Sequence, residues 1–168
     1  MSDICHGIKV PIIETGRAKE VYDLDDEKFN EFFSMIIDGQ KYNLRRADCF
    51  IVYINGETAI LEIKNTYPER AISQLKDTCE LIIKNWGNFL EICNLDKNVQ
   101  KPSHIYIVME GSLGHSRYEI DNQRVLREKS SRGMSRGSIQ KVCNIPVKIY
   151  TKIQIEHMYY LNEEKLKY

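Results

Sequence analysis

The sequence predicts an α/β fold: a three-layer sandwich with a central mixed β-sheet flanked by helices. Three observations predict it. Cys49–Ile54, Thr58–Ile63 and His104–Met109 are short β-branched or aromatic runs of strand type. Asn55-Gly56-Glu57 between the first two is a hairpin signal. Between the second and third, Ile72, Leu75, Cys79, Ile82 and Ile83 recur at helical spacing. At 168 residues the chain fits one domain, 1–168, with a real core.

Composition narrows the class. Lysine plus arginine and aspartate plus glutamate both number 24, so the net charge is +0 and a polyanionic partner needs a local patch. The five cysteines are scattered without a Cys-x-x-Cys, which disfavours a zinc ribbon or an iron–sulfur cluster. Cys49 and Cys79 lie in apolar segments and are expected to be small buried hydrophobes in a reducing compartment. There is no signal-peptide h-region and no apolar run of membrane-spanning length, so the expectation is a soluble, cytoplasmic protein without a membrane partner.

In chain order, Ile8–Ile13 is interrupted by Pro11 and predicts an edge strand or ordered arm. Residues 14–31 are rich in acids. Asp25 or Asp26 is an N-cap for a first helix carrying Phe29, Phe32, Phe33, Ile36 and Ile37, closed by Gly39. Asp48 opens the strand that follows. Pro68 is at N1 of a long helix running to about Trp86, and residues 94–103 form a loop. From 111 to 141, glycine, serine and arginine replace apolar residues. Ser130–Ser138 is expected to be a mobile loop in a basic insertion, with a short helix before it. Val147–Ile155 alternates as a last strand, and the tail forms a short helix. No repeat is present.

Glu62 and Lys64 stand at i and i+2 in an apolar strand, so they share one face. Burying such charges is costly unless they pair or hold a metal. With a three-residue loop at Asn55–Glu57, Ile54 pairs with Thr58, Phe50 with Glu62 and Asp48 with Lys64. Asp48, Glu62 and Lys64 then cluster at the open end of the hairpin. A two-residue loop would send Asp48 to the other face. Two neighbouring carboxylates repel unless a cation lies between them, and their oxygens suit Mg²⁺, with Mn²⁺ as an alternative. The main-chain carbonyl of Ile63 is a further ligand. Lys64 is placed to orient a water and offset phosphate charge.

Asp48, a hairpin and Glu62-Ile63-Lys64 before a helix resemble the PD-(D/E)XK nuclease superfamily. That family includes restriction endonucleases, Holliday junction resolvases, and RecB- and lambda-exonuclease-like enzymes. The resemblance covers roughly residues 20–110 and implies a restriction endonuclease-like core. It also implies a Mg²⁺-dependent deoxyribonuclease that acts as a homodimer or higher homo-oligomer. It assigns the metal to Asp48 and Glu62 and the water to Lys64. Gln74 resembles the glutamine that RecB-like members place near the site. Their tyrosine four residues later is Thr78 here, and the family's proline before the aspartate is Ala47. Some members add a helix glutamate. Glu27 and Glu31 oppose the phenylalanine stripe, which leaves Glu20 as a weak candidate ligand.

Nucleic-acid contacts are expected from Arg45 and Arg46 at the mouth of the site and from Arg124, Arg127, Arg132 and Arg136 in the basic segment. His6, His104, His115 and His157 show no ligand spacing. Trp86, Tyr159 and Tyr160 are expected in a core or interface. Two rival readings remain: a non-catalytic binding protein in which the three charges form a surface salt bridge, and an RNA-directed nuclease of the same core.

Overall fold

The computed structural model describes residues 3–65, 68–111, 117–130 and 137–166. A hairpin of β1 (Ile4–Cys5) and β2 (Ile8–Lys9) is followed by β3 (Ala18–Asp23) and a 3₁₀ turn, Glu27–Phe29. A second hairpin, β4 (Ser34–Ile37) and β5 (Gln40–Asn43), leads to β6 (Cys49–Tyr53) and β7 (Thr58–Lys64). Helices α1 (Glu69–Lys84) and α2 (Trp86–Cys93) cross to β8 (His104–Met109). Then come β9 (Tyr118–Ile120), β10 (Leu126–Glu128), β11 (Lys141–Val142), β12 (Ile145–Thr151) and α3 (Lys152–Leu166).

The central sheet has six strands in the order β11-β12-β8-β7-β6-β3. β7, β8 and β12 are parallel, whereas β6 and β3 run antiparallel beyond β7, and β11 is antiparallel to β12. Alternation along the strands sorts the core into two clusters. Phe50, Val52 and Ile60 point to one side with Leu75, Cys79 and Ile82 of α1 and Phe89 of α2. Ile51, Tyr53, Ala59 and Leu61 point to the other with Cys5, Ile8 and the α3 residues Ile155 and Tyr159. The expected α/β sheet covered on both faces is therefore present. No helix among the described residues is long and apolar enough to cross a membrane.

Three expectations about individual elements are corrected, and one element is new. The expected first helix is a 3₁₀ turn followed by the β4–β5 hairpin. Asp38 and Gly39 both have positive φ, +51° and +78°, as the two central residues of a mirror-image hairpin turn require. The phenylalanines mimicked a helical stripe; Phe29, Phe32 and Phe33 are buried, but Ile36 and Ile37 are exposed on the hairpin. Second, the acidic segment, for which no strand was expected, contains β3, an edge strand paired with β6. Third, the described parts of 111–141 form the β9–β10 hairpin and β11, and they insert Tyr118 and Leu126 into the core. Residues 131–136, the centre of the expected loop, lie outside the described residues. Fourth, the last strand ends at Thr151. Thr151 and Gln154 form a reciprocal capping box, the Gln154 amide on Thr151 Oγ1 (3.3 Å) and the Thr151 amide on Gln154 Oε1 (2.8 Å), which turns the chain into α3.

The long predicted helix breaks at Asn85 (φ −116°, ψ 39°) into α1 and α2. That break places Phe89 at the centre of an aromatic cluster, with ring centroids 4.8 Å from Phe50, 5.2 Å from Phe32 and 5.6 Å from Phe29. Truncating Phe89 to alanine removes most of those contacts and leaves a cavity. We predict a loss of about 3–5 kcal/mol in urea unfolding. A loss below about 1 kcal/mol would show that the cluster does not hold α2 on the sheet.

Candidate functional site

β6 and β7 form the expected hairpin, but with a different register. Val52 pairs with Thr58 and Cys49 with Leu61. The Tyr53 amide donates to the Glu57 carbonyl (2.9 Å) and the Gly56 amide to the Tyr53 carbonyl (3.0 Å), so the loop is Ile54–Gly56. Gly56, with φ +90°, takes the turn position that side chains disfavour. Moving the loop by one residue moves the pairing by two, which preserves the face. The expected opposition of Asp48 and Lys64 is therefore corrected: continuing the register puts Asp48 opposite Glu62. Asp48, Glu62 and Lys64 still share a face.

β6 stops at Cys49 whereas β7 continues to Lys64, still paired with β8 out to Met109. Past the end of β6 the Ile63 amide has lost its strand partner. It donates instead to Asp48 Oδ2 at 2.8 Å. Asp48 is fixed in turn by its own amide on the Leu61 carbonyl (3.1 Å). The Ile63 carbonyl leaves the strand on the same side as its amide, toward the open end. This is where the sequence places a main-chain ligand.

Glu62 is the chemically unusual group. Its side chain is 3 % exposed, and Oε2, shielded from solvent, has no hydrogen-bond partner among the described residues. Lys64 Nζ is 3.9 Å away. Burial, reinforced by the neighbouring Asp48 carboxyl, pushes the Glu62 carboxyl up to about 9, and Lys64 offsets this only in part. Without a cation, Glu62 is protonated at neutral pH. Asp48 and Lys64 are partly open, and they line a cleft of about 360 Å³ with His6, Ile63, Asn65 and Glu110. A larger hollow of about 620 Å³ lies between Leu44–Arg45 and the outer side of α1, with Ser73, Asp77 and Glu80 on its wall. The carboxylates are not part of it, so size alone does not locate the chemistry.

His6 belongs to the site although its spacing gave no sign of it. At the tip of the β1–β2 turn (φ +47°), its Nε2 is 3.0 Å from Asp23 Oδ1 and its Nδ1 is 3.6 Å from Asp48 Oδ1. The hydrogen bond to Asp23 is the main cause that raises the His6 imidazole above its ordinary value. A disulfide between Cys5 and Cys49 fastens this turn beside Asp48. Cys49, expected as a free buried hydrophobe, is buried but bonded; Cys79 is buried and free.

Other expected site residues lie elsewhere. Glu20 pairs with Val52 in the sheet, and its carboxylate accepts from the Tyr22 hydroxyl (2.9 Å). Gln74 is half-buried on α1 and makes no hydrogen bond to Asp48, Glu62 or Lys64 among the described residues. The α1 residue that reaches the motif is Thr78, whose Oγ1 accepts from the Ala47 amide at 2.7 Å in a buried position. Arg45 is exposed. Arg46 is held inside the fold by the Leu24 carbonyl (3.0 Å), Asn30 and the ring of Phe33. Arg124 donates to the Ile149 carbonyl (3.0 Å), and Arg127 pairs with Asp121 at 2.9 Å. Arg132 and Arg136 lie outside the described residues.

Comparison with protein families, curated proteins and solved structures finds no match for the chain.

Two measurements test this geometry. The folded chain holds the Glu62 proton to about 9, whereas an ordinary glutamate releases it near 4.5. The folded state therefore binds the extra proton between those values, and stability in EDTA must fall as pH rises across them, by up to about 1.4 kcal/mol per pH unit. Glu62→Gln removes that slope: its melting temperature should exceed that of the wild type at pH 8 and converge with it near pH 4.5. Parallel curves would show that Glu62 is ionised in the fold. Separately, Thr78→Val keeps the shape but strands the buried Ala47 amide, a cost of about 1–3 kcal/mol by denaturant titration. An unchanged midpoint would remove Thr78 from the support of the motif.

Proposed function

We propose that this protein is a divalent-metal-dependent nuclease of the PD-(D/E)XK type that hydrolyses phosphodiester bonds of DNA. One observation carries the reading: the Asp48 and Glu62 carboxyls adjoin at the open end of the hairpin, with Lys64 on the same face. The donor set fits a hard cation. A buried carboxyl oxygen without a partner beside a second carboxylate is a site that an ion completes. Asp48, Glu62 and the Ile63 carbonyl would hold Mg²⁺, or Mn²⁺. When bound, such an ion supplies charge stabilisation at the phosphate and an acidified water.

The chain's own residues do the remaining work. Asp48 is held in orientation by the Ile63 amide, so its Oδ1 faces the cleft at little entropic cost. To hold a cation, Glu62 would have to give up its proton, so metal affinity would rise with pH up to about 9. The Lys64 ammonium, 27 % exposed, positions the attacking water and offsets phosphate charge. The exposed Arg45, together with Lys129 and Lys141 of the basic segment, supplies sequence-independent attraction to the DNA backbone. In the same reading the protein self-associates, and the exposed Met35, Ile36, Ile37 and Tyr42 of β4–β5 are a surface that association would cover.

A second reading, a non-catalytic binding protein of this fold, is favoured by one fact: Arg46, Arg124 and Arg127 serve internal contacts. One experiment separates the two. The full chain is incubated with linear, branched and single-stranded DNA, and with RNA, in Mg²⁺, Mn²⁺ or EDTA. Glu62→Ala and Lys64→Ala are run alongside. Cleavage of DNA that stops in EDTA and falls about a hundredfold or more in both variants is expected. No cleavage of any substrate, with DNA retained equally by all three proteins, assigns the chain to the second reading. Cleavage of RNA alone moves the substrate and keeps the site.

A further inference from the structure

A second donor set beside the carboxylates is not used by the nuclease reading. The Sγ atoms of Cys5 and Cys49 and a ring nitrogen of His6 all lie within 4.8 Å of one another. Both cysteines are 1 % exposed, one on β1 and the other at the first position of β6, and the sulfurs are joined. We propose that opening this disulfide creates a Cys₂His site for Zn²⁺, so that the Cys5–Cys49 pair alternates between a covalent and a metal clamp on the β1–β2 turn.

The chemistry balances with a dithiol as reductant. Two electrons and two protons pass to the disulfide, the S–S bond breaks, two thiols form, and the reductant leaves as its own disulfide. Zn²⁺ then displaces both thiol protons, because only the thiolates are ligands. Two thiolates and a neutral imidazole suit Zn²⁺, and they are too soft a set for Mg²⁺.

The histidine supplies an independent sign. Ligating histidines almost always donate their other ring N–H to a carboxylate, a backbone carbonyl or water, which fixes the tautomer and aims the ring. His6 has that partner already: Nε2 lies 3.0 Å from Asp23 Oδ1, and Asp23 is paired with Cys49 across β3 and β6. The proton on Nε2 leaves Nδ1 with a lone pair, on the side of the ring that faces Asp48 Oδ1 at 3.6 Å. Three protein ligands leave a fourth position for water. Its three protein ligands, Cys5, Cys49 and His6, are none of those that the nuclease reading assigns to its cation, so the site stands without that reading.

Equilibrium dialysis of the full chain against Zn²⁺ tests the proposal. The chain is used disulfide-bonded, or reduced with dithiothreitol and desalted without oxygen. About one more zinc per reduced chain than per oxidised chain is expected. Co²⁺ in place of Zn²⁺ should give a near-ultraviolet thiolate charge-transfer band in the reduced chain only. Cys5→Ser and Cys49→Ser should lose that band. His6→Ala, which leaves both cysteines in place, should keep a weakened band and bind zinc about tenfold or more weakly. Equal zinc binding by oxidised and reduced chains would overturn the proposal, as would a reduced chain that takes up no zinc. Zinc and the cobalt band surviving in both serine variants would also overturn it and place the metal at Cys79 and Cys143. If the serine variants do not fold, the cobalt spectrum of the reduced against the oxidised wild type decides.

Discussion

The site exists because β6 is shorter than β7. In a strand covered on both faces and paired on both edges, every backbone group is satisfied by a neighbour and every side chain must be apolar or paired. β7 obeys this from Thr58 to Leu61. Where β6 ends, the β6-facing edge of β7 loses its antiparallel partner while the opposite edge stays on β8. The Asp48 carboxylate stands in for the missing strand at the Ile63 amide. A polar group that repairs the ladder is thereby placed against Glu62, and the charged residues of β7 begin where pairing with β6 fails.

The surrounding elements secure this termination. Thr78 of α1 takes the Ala47 amide, the last main-chain donor before Asp48, so the helix and the end of the strand are joined across the core. On the other face the Cys5–Cys49 bond holds the β1–β2 turn against the first residue of β6 and brings His6 to Asp48. Arg46 ties the approach to β6 to the 3₁₀ segment through Leu24 and Asn30. Asp48 is thus met by His6 from the β1–β2 turn and by the Leu24 amide (3.0 Å) just past β3, whereas Glu62 lies beside Asp48 and Lys64 with one oxygen lacking a hydrogen-bond partner among the described residues.

Much of this arrangement was legible in the sequence, and the rest was not, for identifiable reasons. Strands β6, β7 and β8 are hydrophobic runs, and α1 is a strong amphipathic pattern, so local signals suffice. The shared face of Asp48, Glu62 and Lys64 survived an incorrect register because side chains alternate with period two and the error was two residues. A one-residue error would have separated the carboxyls. The aromatic run Phe29–Phe33 imitated a helix, while the Asp38-Gly39 turn carried the true signal of a hairpin. β3 was hidden by its charges, which an edge strand tolerates. His6 and the Cys5–Cys49 bond depend on contacts across 17 and 44 residues, which spacing rules do not reach.

Electrostatics gives the site an order of events. A chain of zero net charge gathers Asp23, Asp25, Asp48 and Glu62 at one end of its sheet, against Lys64 and His6. A phosphate approaching that end meets an excess of negative potential. The proton on Glu62 relieves part of it and lets the metal-free fold persist at neutral pH. A divalent cation in place of that proton would add one positive charge and lessen the repulsion of phosphate. On the nuclease reading, metal binding must therefore precede DNA binding. The buried carboxyl is where the two compete: a cation would have to displace its proton before a phosphate met the lower repulsion.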